Sequence, residues 1–176
     1  ARVSRQMHLD DPWLLRYGKY MWGAFQGDLG QSYKLNRAVA TLLFDAFPKT
    51  LALTVGALTF AWSVGLVVGV VSALRPYSIT DNLAMLFALL GVSVPIFWSG
   101  LIFQFIFAFK LQWLPIAGFK GITYLIMPSV VLGWSSAAVV ARLVRSSLLE
   151  VLRADYIRTA QAKGLQRWLI IMRHAL

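Results

Sequence analysis

Residues 50–74, TLALTVGALTFAWSVGLVVGVVSAL, form an uncharged run long enough to cross a membrane as a helix. At 1.5 Å per residue the 25 positions would extend for about 37 Å, against a hydrocarbon core of about 30 Å. Two further uncharged runs follow at 82–109 and 121–141. The sequence therefore predicts an all-α, polytopic transmembrane bundle with three spans at about 50–74, 82–109 and 121–141.

The composition agrees with this class of protein. The 176 residues are 59% hydrophobic and 14% charged, whereas soluble domains carry about 25% charged residues. The net charge of +10 does not predict a nucleic-acid partner, because seven of the 17 basic residues lie between Arg142 and Arg173, beside a span. This placement is typical of a cytoplasmic segment. There is no cysteine, and neither His8 nor His174 is assigned to a metal site.

Three regions follow from these runs and charges: an extracytoplasmic amphipathic region at 1–49, a transmembrane core at 50–145 and a cytoplasmic loop at 146–176. Within the first region, Asp11 and Pro12 predict the N-cap and first residue of a helix. Asn36 predicts the start of a second, short helix that ends at Pro48. An interfacial region with no ligand of its own remains the plainer interpretation of residues 1–49.

The first span carries a stripe of small residues every four positions, which would let a neighbouring helix approach closely. We interpret this stripe as a packing surface and not as a binding site. Its members are Ala57, Ala61, Gly65, Gly69 and Ala73.

The second span contains Pro95 near its middle, and proline frees a backbone carbonyl and kinks a helix. Within a membrane this is tolerated where protein or a water-filled path satisfies the carbonyl. The candidate translocation-pathway residues are therefore Ser93, Pro95, Trp98 and Ser99. A kink that is simply buried against neighbouring helices is the alternative.

The last segment, 146–176, follows the third span but is too charged for lipid, because each charge at mid-membrane costs roughly 2.5–3.5 kcal/mol. We predict an amphipathic helix with Leu148, Leu152, Tyr156 and Ala160 on one face. Gly164 would end it, and a second short helix carrying Trp168, Ile171 and Ala175 would follow. The residues alone leave two interpretations open, a docking knob for another protein and a basic helix resting on anionic lipid.

The run YIRTAQAKG at 156–164 resembles the cytoplasmic EAA loop of bacterial ABC importer permeases, in the version typical of the dipeptide/oligopeptide/nickel group. Ala160 and Gly164 match the second alanine and the glycine of the general pattern. Arg158 and Thr159 replace its glutamate and first alanine, as is usual in the peptide group. Two other runs, 28–32 (DLGQS) and 93–98 (SVPIFW), also resemble that group.

The resemblance implies a transmembrane subunit of an ATP-driven importer for di- or oligopeptides or similar solutes, such as nickel chelates or glutathione. It implies further helices before residue 1 and after residue 176, and a multi-pass protein of a prokaryotic plasma (inner) membrane. Its loop would dock on a separate ATPase subunit. The coupling residues would be Tyr156, Ile157, Arg158, Thr159, Ala160, Ala162, Lys163, Gly164 and Leu165.

The same resemblance implies the partners. They are cytoplasmic ATP-binding subunits, a second related permease subunit, an extracytoplasmic substrate-binding protein and membrane lipid. This chain would bind no cofactor, and ATP and Mg²⁺ would be held by the partner subunits. The sequence agrees in having no Gly-x-x-x-x-Gly-Lys-Ser/Thr phosphate loop.

Two other functional classes remain in view. The predicted spans carry no Asp, Glu, His or Cys, which argues against an intramembrane enzyme and against a proton- or sodium-coupled carrier. An ATP-independent channel or carrier subunit, or a membrane scaffold whose basic loop binds lipid, is the alternative to the importer.

Overall fold

The structure, a computed structural model, describes residues 12–162 and 164, and the side chains of these residues except 158–161. The chain divides into two compact units, residues 1–51 and 52–176. Each unit is considered by itself.

The first unit holds helix α1, Trp13–Phe25, and a small antiparallel hairpin of β1, Gln31–Ser32, and β2, Arg37–Ala38. Pro12 is the N-cap of α1 and not its first residue, so the predicted start was wrong by one position. Asn36 does not cap a helix: it lies in the hairpin turn with φ of 50°. Asparagine tolerates this left-handed conformation, which a tight turn requires.

Helix α2, Val39–Leu74, is continuous through Pro48, which the sequence predicted to be a helix end. A proline in a helix removes one hydrogen bond and costs about 3 kcal/mol. Ending the helix there would instead leave four carbonyls without intrahelical partners, next to a membrane span. Continuing the helix therefore leaves fewer backbone groups unsatisfied, and the predicted separate helix at 39–47 is wrong.

The predicted second span is broken. Helix α3, Ile79–Ser93, is followed after two residues by α4, Ile96–Phe103, which runs into a π-helix, Gln104–Lys110. The two halves are bent by 106° at the break, because Pro95 cannot donate a backbone hydrogen bond and begins α4 as its N-cap. Within the described residues, two helices are long and apolar enough to span a membrane, and three if this bent pair counts as one. The all-α membrane fold is confirmed.

Helix α5, Thr123–Val151, is the element on which α3 and α4 pack. Helix α2 meets it through glycines: a Cβ on Gly65 would lie 2.9 Å from the carbonyl oxygen of Ala137, and one on Gly133 would lie 2.6 Å from that of Ala57. Many large apolar side chains of the spans remain exposed, among them Trp62, Phe87 and Phe97. In a membrane such surfaces face hydrocarbon or other subunits.

The helix that precedes the predicted cytoplasmic loop continues beyond the predicted third span, to Val151. The chain then turns at 152–154 through backbone hydrogen bonds between residues three apart, from Arg153 N–H to Glu150 O and from Ala154 N–H to Val151 O. A new helix, α6, occupies Asp155–Ala162. The single amphipathic helix expected from residue 148 onward is therefore wrong.

Candidate functional site

Helix α6 carries the predicted coupling residues from Tyr156 to Ala162, and its buried side differs from the predicted one. Ile157 is fully buried, whereas Tyr156 is 54% exposed. The turn at 152–154 changes the helical phase, so the four-residue periodicity from Leu148 does not continue to Tyr156. Leu148 itself is buried, at 2% exposure.

The end of α6 agrees with the sequence. The helix stops at Ala162, and Gly164 has φ of +78°, a left-handed conformation in which glycine commonly terminates a helix. Ala162 is exposed. The side chains of Arg158, Thr159 and Ala160, the residues Lys163 and Leu165, and the predicted helix after Gly164 lie outside the described part of the chain.

A buried ion pair joins α3 to α5, and no feature of the sequence predicted it. Arg145 Nε donates to Asp81 Oδ1 at 2.7 Å, and Arg145 Nη2 donates to Asp81 Oδ2 at 2.6 Å. The Asp81 side chain is 2% exposed and that of Arg145 is 22% exposed. Two parallel hydrogen bonds between a guanidinium and a carboxylate fix both the distance and the relative orientation of the two groups.

Asp81 is also part of the start of α3. Ser78 is the N-cap and accepts a hydrogen bond from the backbone N–H of Asp81 at 3.2 Å. The Asp81 carboxylate in turn accepts the backbone N–H of Tyr77 at 2.8 Å. Three donors therefore satisfy a carboxylate that would be costly to bury unpaired.

A sequence signal for Asp81 exists. Ser78-Ile79-Thr80-Asp81 has the Ser-x-x-Asp spacing of a capping box, which predicts a helix start at Ile79. Hydropathy alone leaves Asp81 outside the predicted spans, because the uncharged run begins at residue 82. Its pairing with Arg145, 64 positions away, depends on how the helices pack and has no local signature.

The largest fully buried side chains of the described residues are Ser72, Asp81, Leu148 and Ile157. Ser72 is near the end of α2, and a four-residue loop, 75–78, leads from there to Asp81 in the first turn of α3. The Asp81–Arg145 contact brings the last turns of α5 to the same place. We call this the predicted cytoplasmic end, because the dense basic segment from Arg142 onward begins there.

The candidate pathway residues lie at and after the break in the second span. Ser93 ends α3, Pro95 caps α4, and the Ser99 hydroxyl donates to the Pro95 carbonyl at 3.2 Å. Trp98 and Ser99 line an apolar cavity of about 160 Å³. Ser93 and Pro95 do not line it and are exposed. Their role in translocation stays a prediction.

The indole of Trp134, on α5, lies against Gly91 of α3 so closely that a Cβ at position 91 would overlap it. Trp134 also packs edge-on against Phe103 with ring centroids 6.2 Å apart. This contact sits three residues before the break at Val94 and Pro95. No sequence pattern distinguishes Trp134 from the other residues of the uncharged run at 121–141.

The small-residue stripe faces α5 along most of its length. Ala61, Gly65, Gly69 and Ala73 are buried, and Ala57 is half-buried. A Cβ on Gly69 would lie 2.7 Å from the carbonyl oxygen of Ala141. The stripe therefore lets the two backbones approach more closely than side chains would permit.

A cavity of about 410 Å³ lies next to the loop between the π-helix and α5, and Gln104 and Tyr124 are among its lining residues. Gln104, the first residue of the π-helix, donates from Nε2 to the carbonyl of Ile116 at 2.7 Å. Within residues 12–162 and 164, no three His, Cys, Asp or Glu side chains are grouped so as to hold a metal ion.

Two helices of span length, one broken span and the short helix α6 define a membrane protein with several helices. Residues 65–176 match the family described as binding-protein-dependent transport system inner membrane component, and this chain belongs to that family. It is thus a multi-pass protein of the bacterial inner membrane, and the resemblance found in the sequence is confirmed.

Several curated relatives cover the whole chain. It is 37% identical to the dipeptide transport system permease protein DppB of Alkalihalophilus pseudofirmus, over 100% of this chain and 61% of that protein. It is 36% identical to the di/tripeptide transport system permease protein DppB of Pseudomonas aeruginosa, over 99% and 63%. It is also 36% identical to the dipeptide transport system permease protein DppB of Escherichia coli K12, over 100% and 61%. The chain spans about three fifths of the length of these relatives, which are permease components.

Proposed function

We propose that this chain is part of the transmembrane subunit of an ATP-driven ABC importer for di- or oligopeptides. The observation that carries the proposal is the family match over 65–176, which includes the end of α2, the broken span, α5 and the loop at 155–164. The relatives that cover the whole chain are named as dipeptide or di/tripeptide permeases. The substrate class follows from those names.

The chain forms the pathway, and separate subunits supply the energy. ATP and Mg²⁺ bind to a pair of cytoplasmic ATPase subunits, and a second related permease subunit completes the pathway. An extracytoplasmic binding protein delivers the substrate. Helix α6 and Gly164 dock on the ATPase. Helix α6 is short, ends at a glycine and follows the last turns of α5 directly, so a movement of the ATPase would be passed to α5. ATP then shifts access between the two sides by its differential affinity for the two states.

The first test is a pull-down of the full-length protein from its native membranes, with and without residues 156–164. We expect an ATPase subunit to be recovered with the intact loop and lost with the deletion. If no ATPase subunit is recovered with either the intact protein or the deletion variant, the proposal is overturned. Binding of the intact loop to anionic vesicles, lost in high salt, would then favour the lipid-binding alternative.

A point variant tests the loop more gently. Gly164→Val strains the left-handed backbone, which costs a β-branched residue about 1–2 kcal/mol, while no described atom lies within 4 Å of a Cβ there. We expect it to insert normally but to lose ATP-dependent uptake. Gly27→Val is the matched control, because Gly27 has φ of +85°, has equally open surroundings and lies far from the loop in sequence. Equal uptake by both variants would count against a coupling role.

Ala160→Trp tests whether the docking proposed here depends on a small side chain at position 160, which would let the ATPase approach the backbone of the loop closely. We expect the bulk of the indole to prevent recovery of the ATPase while insertion into the membrane is unchanged. Normal recovery of the ATPase with this variant would refute the close approach.

A further inference from the structure

We propose that the Asp81–Arg145 pair is the joint through which movement of the coupling loop is passed to α3 and so to the break at Val94 and Pro95. The inference rests on the proposed function, since it needs an ATPase that moves α6. It assigns a positioning role to two residues outside the coupling loop and outside the candidate pathway.

The Asp81–Arg145 pair lies between the coupling loop and the break at Val94 and Pro95. Arg145 lies in the last two turns of α5, which turns directly into α6. Asp81 lies in the first turn of α3, and α3 ends at the break. The stretch from Asp81 to Val94 makes a helical lever of about 20 Å. A displacement at the predicted cytoplasmic end is therefore carried to the break without any other joint.

The chemistry of the contact suits a joint better than the neighbouring contacts do. Helix α2 meets α5 through Gly65, Gly69 and Gly133, where van der Waals contact between smooth backbones has no fixed direction. The two hydrogen bonds between Arg145 and Asp81 have a fixed plane, and the carboxylate is buried. Rotation or sliding of α5 against α3 would break them, which is unfavourable where the carboxylate cannot recover water.

The far end of the lever is held as well. Trp134 of α5 presses on Gly91 of α3, three residues before the break. Because α3 packs along α5 and is also held at both ends by these contacts, it follows α5 as a rigid body. The bend between α3 and α4 is the position at which the angle between the two helices can change when α3 moves.

The test separates a joint from a merely stabilising pair. The full transporter is purified and placed in proteoliposomes, and the uptake of a radiolabelled dipeptide that the wild type transports is measured per ATP hydrolysed. The main variant is Asp81→Asn/Arg145→Met. The asparagine side chain keeps an acceptor for the Tyr77 N–H, and the double change leaves no unpaired buried charge, which is the main cause of instability when only one partner of a buried pair is removed.

We expect this double variant to assemble with its ATPase and to melt near the wild-type temperature, while uptake per ATP falls by about fivefold or more, the lower range for coupling between sites. Unchanged uptake per ATP would overturn the proposal and leave the pair a stabilising contact. The control is Arg37→Met/Asp45→Asn, which removes an exposed ion pair of the first unit and should leave the ratio unchanged.

A second variant keeps the test decisive if the double variant does not assemble. Arg145→Lys retains the charge but not the two-point geometry. We expect full assembly with reduced uptake per ATP, and a wild-type ratio would overturn the proposal. Failure of the proposed function would look different, because wild-type uptake would then not depend on the ATPase subunits at all.

Discussion

Replacing Gly69 with alanine tests the close approach of α2 and α5. A Cβ at this position would lie 2.7 Å from the carbonyl oxygen of Ala141 and 2.8 Å from Val144 Cβ. Ordinary contact begins at 3.4 Å, so the helices would have to separate by about 0.7 Å, the difference of the two distances. The obstructing oxygen is backbone and cannot rotate away.

The magnitude follows from comparison with Gly100→Ala. Overfilling a well-packed site costs about 1–3 kcal/mol, but alanine also favours a helix over glycine by about 1 kcal/mol. Gly100 lies within α4, where a Cβ would meet Val131 Cγ1 at 3.9 Å, which is ordinary contact. Both variants gain the same helix propensity, so their difference isolates the overlap. We expect Gly69→Ala to be the less stable variant by about 1–3 kcal/mol.

The measurement is the free energy of unfolding of the full-length protein in mixed micelles, obtained by titration with dodecyl sulfate and followed by circular dichroism. Wild type, Gly69→Ala and Gly100→Ala are compared under the same conditions. Equal stabilities of the two alanine variants would refute the packing argument, since they would show that α2 can move away from α5 without loss.

Three further outcomes are expected. Ser129→Ala should be neutral or stabilising by up to about 2 kcal/mol, because the buried Ser129 hydroxyl has no hydrogen-bond partner among the described residues; a loss of stability in the micelle titration would contradict this. Gln104→Leu should speed amide hydrogen exchange in the loop at 111–118, because it removes the hydrogen bond to Ile116, and unchanged exchange would mean that other contacts hold the loop. Arg145→Met alone should cost about 3–5 kcal/mol, because it leaves the Asp81 carboxylate buried and without its charged partner, and thermal unfolding should show it less stable than the double variant.

Length and hydropathy were sufficient for the membrane class. The uncharged run at 50–74 predicted the span within α2, and the period of four in its small residues corresponds to the side that lies on α5. These predictions succeed because hydrocarbon imposes one strong requirement on every residue of a span, so the signal is repeated many times along the sequence.

The position of a proline was less informative, because a proline can either end a helix or lie within one. Pro48, a predicted helix end, lies inside a helix, whereas Pro95, a predicted kink, lies at a 106° break. Proline weakens a helix at both positions by the same mechanism. Whether the helix continues or breaks depends on which groups satisfy the freed carbonyl. Those groups come from the tertiary packing and cannot be identified from the residues next to the proline.

The sequence alone determined the class of fold, the three uncharged runs, the glycine that ends α6 and, through the run at 156–164, the family. The tertiary structure decided which charged residues pair and which face of the loop is buried. Asp81 and Arg145 are 64 positions apart, and Ile157 is buried instead of Tyr156 because the chain turns at 152–154. Hydropathy is a property of each residue and can be summed along the chain, whereas a directional contact exists only once the packing of the helices has set the distance between its two ends.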